Sequence, residues 1–402
     1  MSQLSEKERE ILNELSEMAI FKMSLGSKEL FHSNFLEFLW DKDNDAFKKT
    51  ISKLCSSFNW QENLEYKFGR EKNHFDICIY HEEKKAKKRN KSDDEEYSVK
   101  EVYDLIIENK VKSIPYKSQL EEYKGKLVNA DNAKYMLLSL MENFEDKSVI
   151  YDSGWEIVHY DSLRDAIREY YREDCIYISD YCKFIDKLHE LQLCIVPKDP
   201  VYLEQELYPC YDEYKKYRLH DLYIKLRGLK FLEFLKRKLE EKSIACQVVK
   251  DGGNKLRDDY KEGSGVVAHL NWNVFRAVGQ IAAFIYKGDE EIYEIVIQGD
   301  QYRHGINYKN KKNNGNGFES LDNDKEQSQK QIWGKETEKE NRENRKFITS
   351  EPYPEGKKKQ YCGYGTDYIY RYNKLKEMDC AVIIQSLLEY MANDIEKVVN
   401  SL

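Results

Sequence analysis

Apolar positions in the first sixty residues recur with the spacing of amphipathic helices. Ser5 opens an S-x-x-E pattern, which is typical of a helix N-cap, before an apolar and polar run that continues to about Met23. Apolar residues three and four apart predict two further helices, over residues 28–40 and 44–57. The chain is therefore predicted to begin with consecutive helices.

Short apolar runs of strand length follow these helices. Residues 103–109 are the clearest case, because Leu105, Ile106 and Ile107 stand in a row, as in a strand that is buried on both faces. Residues 81–100 are almost all charged, so they are interpreted as a flexible surface loop. Further strands are predicted at residues 63–68, 74–80, 134–140 and 155–160, and further helices after Pro115 and over residues 162–172 and 178–193.

Pro197 and Pro200 mark a predicted boundary between two domains, residues 1–196 and residues 201–402. The second is predicted to be an additional C-terminal α+β domain that serves substrate recognition or assembly. Residues 306–346 are poor in apolar side chains and predict a mobile insertion in that domain. Its other predicted elements are helices at 211–241 and 379–399 and strands at 266–271, 281–286, 292–298 and 367–373.

Composition narrows the class of protein. No run of about 18 apolar residues exists, so no transmembrane helix is expected, and the polar N-terminus lacks the pattern of a signal peptide. The nine cysteines are odd in number and form no CxxC pair. That usage favours reduced thiols in a cytoplasm over a disulfide framework or a zinc site.

The charge of the chain bears on whether nucleic acid is its partner. The formal net charge of −8 slightly disfavours a general polyanion binder. Strongly basic runs at residues 84–91 and 309–312 are nevertheless able to contact nucleic acid, although such runs are usually solvated loops. Nucleic acid therefore stays open as a partner on local grounds.

The end of the run at residues 103–110 carries the most informative chemistry. Because side chains alternate along a strand, Glu108 and Lys110 share a face, with Asn109 opposite. A carboxylate suits Mg²⁺, and the Asn109 carbonyl is a candidate further oxygen ligand. One acid is too few for Mg²⁺, and Asp76, inside the apolar run HFDICIY, is the candidate second acid.

An isolated E-x-K is far more often a structural ion pair that caps a strand. The wider order of residues changes that balance. An acid lies inside one apolar strand, a second strand ends in E-x-K, and a helix follows that carries Gln119 and Tyr123 on one face. We therefore treat this order as a candidate metal-dependent hydrolytic site.

With these residues in this order, the chain resembles the PD-(D/E)XK nuclease superfamily. Asp76 stands at the first acidic position, and residues 108–110 form the E-x-K. The segment QLEEY, residues 119–123, is similar to a QxxxY element that follows the active site in some members. The segment ELFHSNFLEFLW resembles the EL-x-HS opening of an uncharacterised bacterial family in that superfamily, and the resemblance covers roughly residues 20–165.

The resemblance implies a restriction-endonuclease-like mixed sheet flanked by helices, hence an α/β (α+β) fold. It implies a phosphodiesterase that uses Mg²⁺ or Mn²⁺ bound by Asp76 and Glu108, with Lys110 serving the attacking water. An acid of the first helix of the fold often assists, and here it is Glu29, which shares a helical face with His32.

Two features qualify the resemblance. His74 and Phe75 precede Asp76, so the proline that gives the superfamily its name is absent, as it is in many members. The charged stretch 81–100 is long for the connection between these strands.

The chain lacks a GxxxxGK[ST] motif, so any ATP-driven step would need a partner protein.

The function expected from this reasoning is a nuclease acting on DNA, with RNA less favoured, and a role in defence against phage or mobile DNA is suggested by analogy alone. Gln119 and Tyr123 are expected to position the metal site or the substrate strand. Two alternatives stay open: a nucleic-acid-binding module whose chemistry has lapsed, and a sensor or scaffold subunit of a defence complex. A homo-oligomer or a partner protein also stays open.

Overall fold

The computed structural model describes most of the chain. The described residues are 4–24, 28–86, 97–112, 117–125, 133–140, 154–172, 175–195, 207–248, 266–275, 278–287, 290–307, 362–364, 368–378, 381 and 383–401. The predicted mobile insertion at 306–346 lies outside them, apart from its first two residues.

The chain divides into two compact units. The first comprises Met1–Val196 together with Cys210–Tyr223, and the second comprises Pro197–Pro209 together with Ile224–Leu402. The segment 210–223, predicted from sequence to belong to the second domain, instead packs in the first unit. Tyr214 is fully buried there, and its hydroxyl donates to Glu8 Oε1 at 2.6 Å. Because the two residues are about 200 positions apart, no local sequence pattern predicts this contact.

The first unit opens with helices, as the apolar spacing predicted. Ser5 forms the expected capping box with Glu8, but the first run is broken at Met18, which is extended (φ −72°, ψ 123°). The helices of this unit are α1 (Glu6–Glu17), α2 (Ala19–Met23), α3 (Glu29–Lys42), α4 (Asn44–Leu54), α5 (Lys117–Gly125), α6 (Tyr160–Tyr170), α7 (Ile176–Ile195) and α8 (Tyr211–Lys216), and α9 (His220–Glu241) begins in it.

A mixed five-stranded sheet lies among these helices, in the order β1-β2-β3-β4-β5. Its strands are β1 (Lys67–Lys72), β2 (Phe75–Ala86), β3 (Tyr97–Lys110), β4 (Lys134–Ser139) and β5 (Glu156–His159). The pairs β1–β2 and β2–β3 are antiparallel, whereas β3–β4 and β4–β5 are parallel. Leu105, Ile106 and Ile107 are fully buried, so the central strand is covered on both faces, as predicted.

The charged stretch 81–100 was predicted to be a loop, and this prediction is wrong at both of its ends. β2 continues to Ala86 and β3 begins at Tyr97, and the two are paired as far as Ala86 and Tyr97, with one register shift between Ile79 and Tyr80. Backbone hydrogen bonds sustain a strand whatever its side chains are, so a solvated ladder leaves no apolar signal in the sequence. Residues 87–96 lie outside the described part of the chain.

The turn between β1 and β2 is a tight two-residue hairpin. Lys72 pairs with Phe75, and the intervening Asn73 and His74 have φ values of 52° and 69°. Positive φ at both central positions is the mark of a type I′ turn, which fits the twist of a hairpin. The second of these turn residues, His74, lies two residues before Asp76.

The second unit is built on another sheet, in the order β11-β12-β10-β9-β8-β7-β6. Its strands are β6 (Cys246–Val248), β7 (Val266–Phe275), β8 (Val278–Lys287), β9 (Glu290–Gln298), β10 (Gln301–Asn307), β11 (Cys362–Tyr364) and β12 (Tyr368–Lys374). Helix α10 (Ile384–Asn400) packs on β7, β8 and β9. Mixed α+β architecture therefore holds in both units.

Strand β10 carries several polar residues into this sheet. It pairs with both β9 and β12, which makes it an inner strand of the sheet. Two of its buried polar residues, Tyr302 and His304, both hydrogen-bond Asp394 Oδ2, at 3.0 and 3.1 Å.

Within the described residues, no helix is long and apolar enough to span a bilayer.

Candidate functional site

The register of β2 and β3 brings the two predicted acids together. Ile77 pairs with Ile107, so the next step along this antiparallel pair places Asp76 opposite Glu108. Residues directly opposite one another on antiparallel strands project to the same face. The backbone N–H of Asn109 also donates to Asp76 Oδ2 at 2.8 Å, which fixes the Asp76 carboxyl against the end of β3.

Lys110 completes this arrangement on the same strand. Its Nζ lies 2.6 Å from Glu108 Oε1, and only 7% of Lys110 and 1% of Glu108 are exposed. Tyr123, on α5, donates its hydroxyl to the same Glu108 oxygen at 3.3 Å. The predicted Glu108, Lys110 and Tyr123 therefore form one contact set, in which Glu108 and Lys110 are buried and Tyr123 is half-buried.

Glu29, the first residue of α3, reaches the site from the helical layer. Its Oε1 accepts the backbone N–H of Val111 at 3.2 Å, immediately after the E-x-K. Its charge acts on Asp76, Glu108 and Lys110 alike. The structure thus places three carboxyl groups and one ammonium together, all of them named from the sequence.

Burial makes both strand carboxyls reluctant to ionise. It raises the pKa of Asp76 to about 6, although the Asn109 hydrogen bond and the Lys110 charge act in the opposite direction. Burial likewise raises the pKa of Glu108 to about 7, with Lys110 opposing the shift and Asp76 adding to it. Raised carboxyl pKa values in a polar cluster are typical of functional sites, because such a cluster binds a cation well.

Lys110 remains charged in this setting. Burial on its own would lower the pKa of the Lys110 ammonium, but the neighbouring carboxylates, above all Glu108, raise it overall. An ammonium with a raised pKa is a hydrogen-bond donor at neutral pH and cannot accept a proton. Such a donor is suited to orienting a bound group or stabilising negative charge.

The second oxygen of Glu108 is the feature that bears most directly on a metal. Oε2 of Glu108 is buried and has no hydrogen-bond partner. An unpartnered buried carboxylate oxygen is costly, and a bound divalent cation would satisfy it. In the part of the chain that the structure describes, no three His, Cys, Asp or Glu side chains are already arranged as a metal centre. What favours a cation is therefore the chemistry of Glu108 alone, whose Oε2 is unpartnered while its Oε1 contacts Lys110.

The predicted metal ligand Asn109 is corrected as far as its side chain is concerned. Its amide nitrogen donates to the Glu29 carbonyl at 2.9 Å and to Ser33 Oγ at 3.3 Å, and its amide oxygen accepts from the Tyr160 hydroxyl. The side chain is fully buried on the face opposite Glu108 and Lys110. Asn109 therefore ties β3 to α3 and α6, and its amide oxygen does not face the carboxyls.

His32 was predicted to be catalytic, and the structure instead makes it a core residue. Its Nδ1 lies 2.9 Å from the Tyr181 hydroxyl, and its ring stacks on Phe184 at 5.7 Å between centroids. Burial, with a smaller contribution from Lys112, lowers the pKa of His32 to about 3. A neutral imidazole at physiological pH is suited to hydrogen bonding in the core and not to proton transfer.

Of the two helical residues predicted to position the site, Tyr123 contacts Glu108 as described. Gln119 lies on α5, but its side chain is outside the described part of the structure. Sequence reasoning missed Tyr160, whose hydroxyl holds Asn109 and whose ring contacts His32. Tyr160 lies where β5 meets α6, about fifty residues beyond the E-x-K, so no local spacing connects the two.

Comparison of the chain with models of protein families, with curated proteins and with solved structures finds no match. The geometry of the site therefore carries the functional argument alone.

Proposed function

We propose that the chain is a metal-dependent nuclease that hydrolyses phosphodiester bonds of DNA. The observation that carries the proposal is the meeting of Asp76, Glu108 and Lys110 at adjoining strand ends, with Glu108 Oε2 buried and unpartnered. A purely structural Glu–Lys ion pair would account for the contact of Lys110 with Glu108 Oε1. It explains neither the unpartnered oxygen nor the second buried acid beside it.

Asp76 and Glu108 are the residues that would hold Mg²⁺ or Mn²⁺, with Glu29 beside them. When bound, such a cation supplies Lewis-acid polarisation of the scissile phosphate and makes water a stronger nucleophile. Both carboxyls must be ionised for this, and their raised pKa values place that change near neutrality.

Lys110 donates hydrogen bonds from its ammonium. In the proposed reaction it orients the attacking water and stabilises the charge that develops on the phosphate oxygens. Glu108 Oε1 fixes the position of that ammonium at 2.6 Å, and Tyr123 donates to the same oxygen. A group held in advance in this way needs little reorganisation when charge develops.

The test is cleavage of plasmid and single-stranded DNA with Mg²⁺ or Mn²⁺. Wild-type protein is expected to cut, and Lys110→Ala is expected to lose roughly two to three orders of magnitude in rate, which is the usual effect of removing one such donor. Lys216→Ala, at an exposed lysine of α8, is the matched control and should cut like wild type. Equal rates for wild type and Lys110→Ala would refute the assignment.

One observation favours a second candidate, a nucleic-acid-binding module whose chemistry has lapsed. The described residues contain no ready three-ligand metal centre, and Lys110 occupies Glu108 Oε1. Such a module would bind DNA with either metal or with EDTA and cut in none of these conditions. The same assay therefore separates the two candidates.

A further inference from the structure

A groove on the surface of the first unit combines lysines with aromatic rings, and it shares no residue with the carboxyl site. It has a volume of about 640 Å³ and is lined by one exposed face of α4, by Trp60 and by Tyr170 at the end of α6. The α4 residues that line it include Asp45, Lys48, Lys49 and Lys53. We refer to these residues, with the two rings, as the basic groove.

Among the described residues, two of the groove's three lysines form no ion pair with a carboxylate. Lys53 forms an ion pair with Glu169, beside Tyr170. Among the described residues no carboxylate pairs with Lys48 or Lys49, although the protein as a whole is acidic. Lys48 Nζ instead lies 5.7 Å above the Trp60 ring. The ammonium groups of Lys48 and Lys49, next to the Trp60 ring, are therefore able to bind an anion.

The Trp60 ring is fixed before any ligand arrives. Its Nε1 donates to the Lys48 carbonyl at 3.0 Å, and its ring meets Phe58 and Tyr66 edge to face, at 4.8 and 4.9 Å between centroids. These contacts hold the half-buried Trp60 ring in a defined position where it lines the groove. Binding to such a ring costs little ordering entropy.

We infer that the basic groove binds a nucleotide, with the base against Trp60 and the phosphate on Lys48 and Lys49. Stacking on an aromatic ring beside lysines that neutralise phosphate is how proteins hold single-stranded nucleic acid. The groove is also within the size range of small-ligand sites. An acidic peptide would use the lysines but would gain little from the ring.

The nucleotide can come from two sources, a free mononucleotide or one unit of a single strand. The inference does not rest on the proposed cleavage, and it is tested by binding in EDTA, where no divalent cation is available to the carboxyl site. The probes for the full-length protein are a fluorescein-labelled oligothymidylate of about eight nucleotides, AMP, and octaglutamate as the acidic peptide.

Lys48→Ala/Lys49→Ala is the decisive variant, because both side chains lie on an outer helix face and the fold does not depend on them. We expect it to weaken oligothymidylate binding roughly 10-fold and to reduce the slope of log affinity against log salt by about 1.4, which is 0.7 for each lost phosphate contact. Lys183→Ala on α7, an exposed lysine outside the groove, should change neither quantity. Trp60→Phe keeps an aromatic ring in the same packing and should retain most of the binding.

The outcomes separate cleanly. Lysine-dependent binding of AMP with no gain for the oligonucleotide identifies the free nucleotide as the source, and a large gain identifies the strand. Unchanged affinity and salt slope in the double variant overturn the inference, as does octaglutamate binding as tightly as the oligonucleotide. Cleavage that fails while binding in EDTA persists would count against the proposed nuclease and not against the groove.

Discussion

The backbone N–H of Asn109 donates a 2.8 Å hydrogen bond to Asp76 Oδ2. This single contact joins the middle of the E-x-K to the acid on the neighbouring strand. It leaves Asp76 with a fixed carboxyl beside Glu108, in a site where burial opposes ionisation of both. The acids are therefore held together at the expense of stability, which makes that cost measurable.

Asp76→Asn is expected to stabilise the metal-free protein at neutral pH. The pKa of Asp76 is about 6 in the folded state against 3.8 for the isolated group, so the folded state binds the proton more tightly. Stability from this group is present below pH 4 and is lost as the pH rises through 6. The asparagine carries no charge and avoids the loss, which amounts to about 1–3 kcal/mol.

Urea unfolding in EDTA at a series of pH values from 4 to 8 measures this. The advantage of Asp76→Asn over wild type should grow between pH 4 and pH 6 and then level off. Glu62→Gln, at an exposed loop position, is the control and should show no such growth. A variant that is less stable than wild type at pH 7 would contradict the raised pKa.

Divalent cations are expected to stabilise wild type more strongly as the pH rises. Both carboxyls must lose their protons before they can hold a cation, and their pKa values of about 6 and 7 place that change between pH 5.5 and 7.5. At a concentration one hundred times the dissociation constant, the cation should add about 2.7 kcal/mol. Thermal unfolding with and without Mn²⁺ at both pH values measures this.

The same experiment has an internal check. Glu108→Gln removes a charge at the unpartnered oxygen and should abolish the shift caused by Mn²⁺ at either pH. An equal shift in wild type and Glu108→Gln would place the cation elsewhere in the protein.

His32→Asn is expected to lower stability without altering the pH dependence of cleavage. The substitution removes a buried ring that packs on Phe184 and Tyr160, at a cost of roughly 2–4 kcal/mol. A core residue affects the amount of folded protein, whereas a proton-transfer residue affects the shape of the pH–rate profile. Tyr181→Phe, which removes the partner of His32 Nδ1, should behave in the same way. A changed profile at normal stability would restore the catalytic role.

Tyr123→Phe is expected to reduce the rate of the proposed cleavage modestly, by roughly 3- to 10-fold. Its hydroxyl makes one hydrogen bond of 3.3 Å to Glu108, and a typical hydrogen bond contributes about 0.5–1.5 kcal/mol. Measurement of kcat and KM separately should show the change in kcat. Tyr66→Phe, which loses a bond to the Gln61 backbone in a loop, serves as the comparison and should leave kcat unaltered.

His74→Gly is expected to stabilise the protein by about 1 kcal/mol. His74 has φ 69° in a turn that favours Asn-Gly, and Asn73 already supplies the first residue. Glycine adopts positive φ without the steric cost that a side chain meets there. Denaturation midpoints of the variant and wild type, at equal slope, give the difference. Destabilisation would show that the exposed imidazole makes a contact that outweighs the turn.

Sequence patterns predicted the helices and strands best where a buried face requires apolar residues at a regular spacing. The apolar run at β3, the capping box at Ser5 and the helices over α3 and α4 all agree closely with the structure. Strand alternation alone placed Glu108 and Lys110 on one face, whereas Glu29 was expected only from the resemblance.

The failures share one physical cause, which is that long-range contacts override local patterns. The outer parts of β2 and β3 are held by backbone pairing that a charged sequence conceals. Asn109 was expected to be a metal ligand, but its amide oxygen accepts a hydrogen bond from Tyr160, which is distant along the chain and close in the fold. His32 shares a helical face with Glu29, but α7 packs over it and encloses its ring. Spacing along the chain identifies a face and does not identify what covers that face.

The consecutive order of β2 and β3 has a consequence for how the two acids are placed. Asp76 and Glu108 lie toward one end of the hairpin pair, whereas the connection between the strands, residues 87–96, joins the other. The hydrogen-bonded ladder from Ile77 and Ile107 to Ala86 and Tyr97 separates the two acids from that connection. The relative placement of the acids is therefore set by the strand register and not by the segment that links the strands.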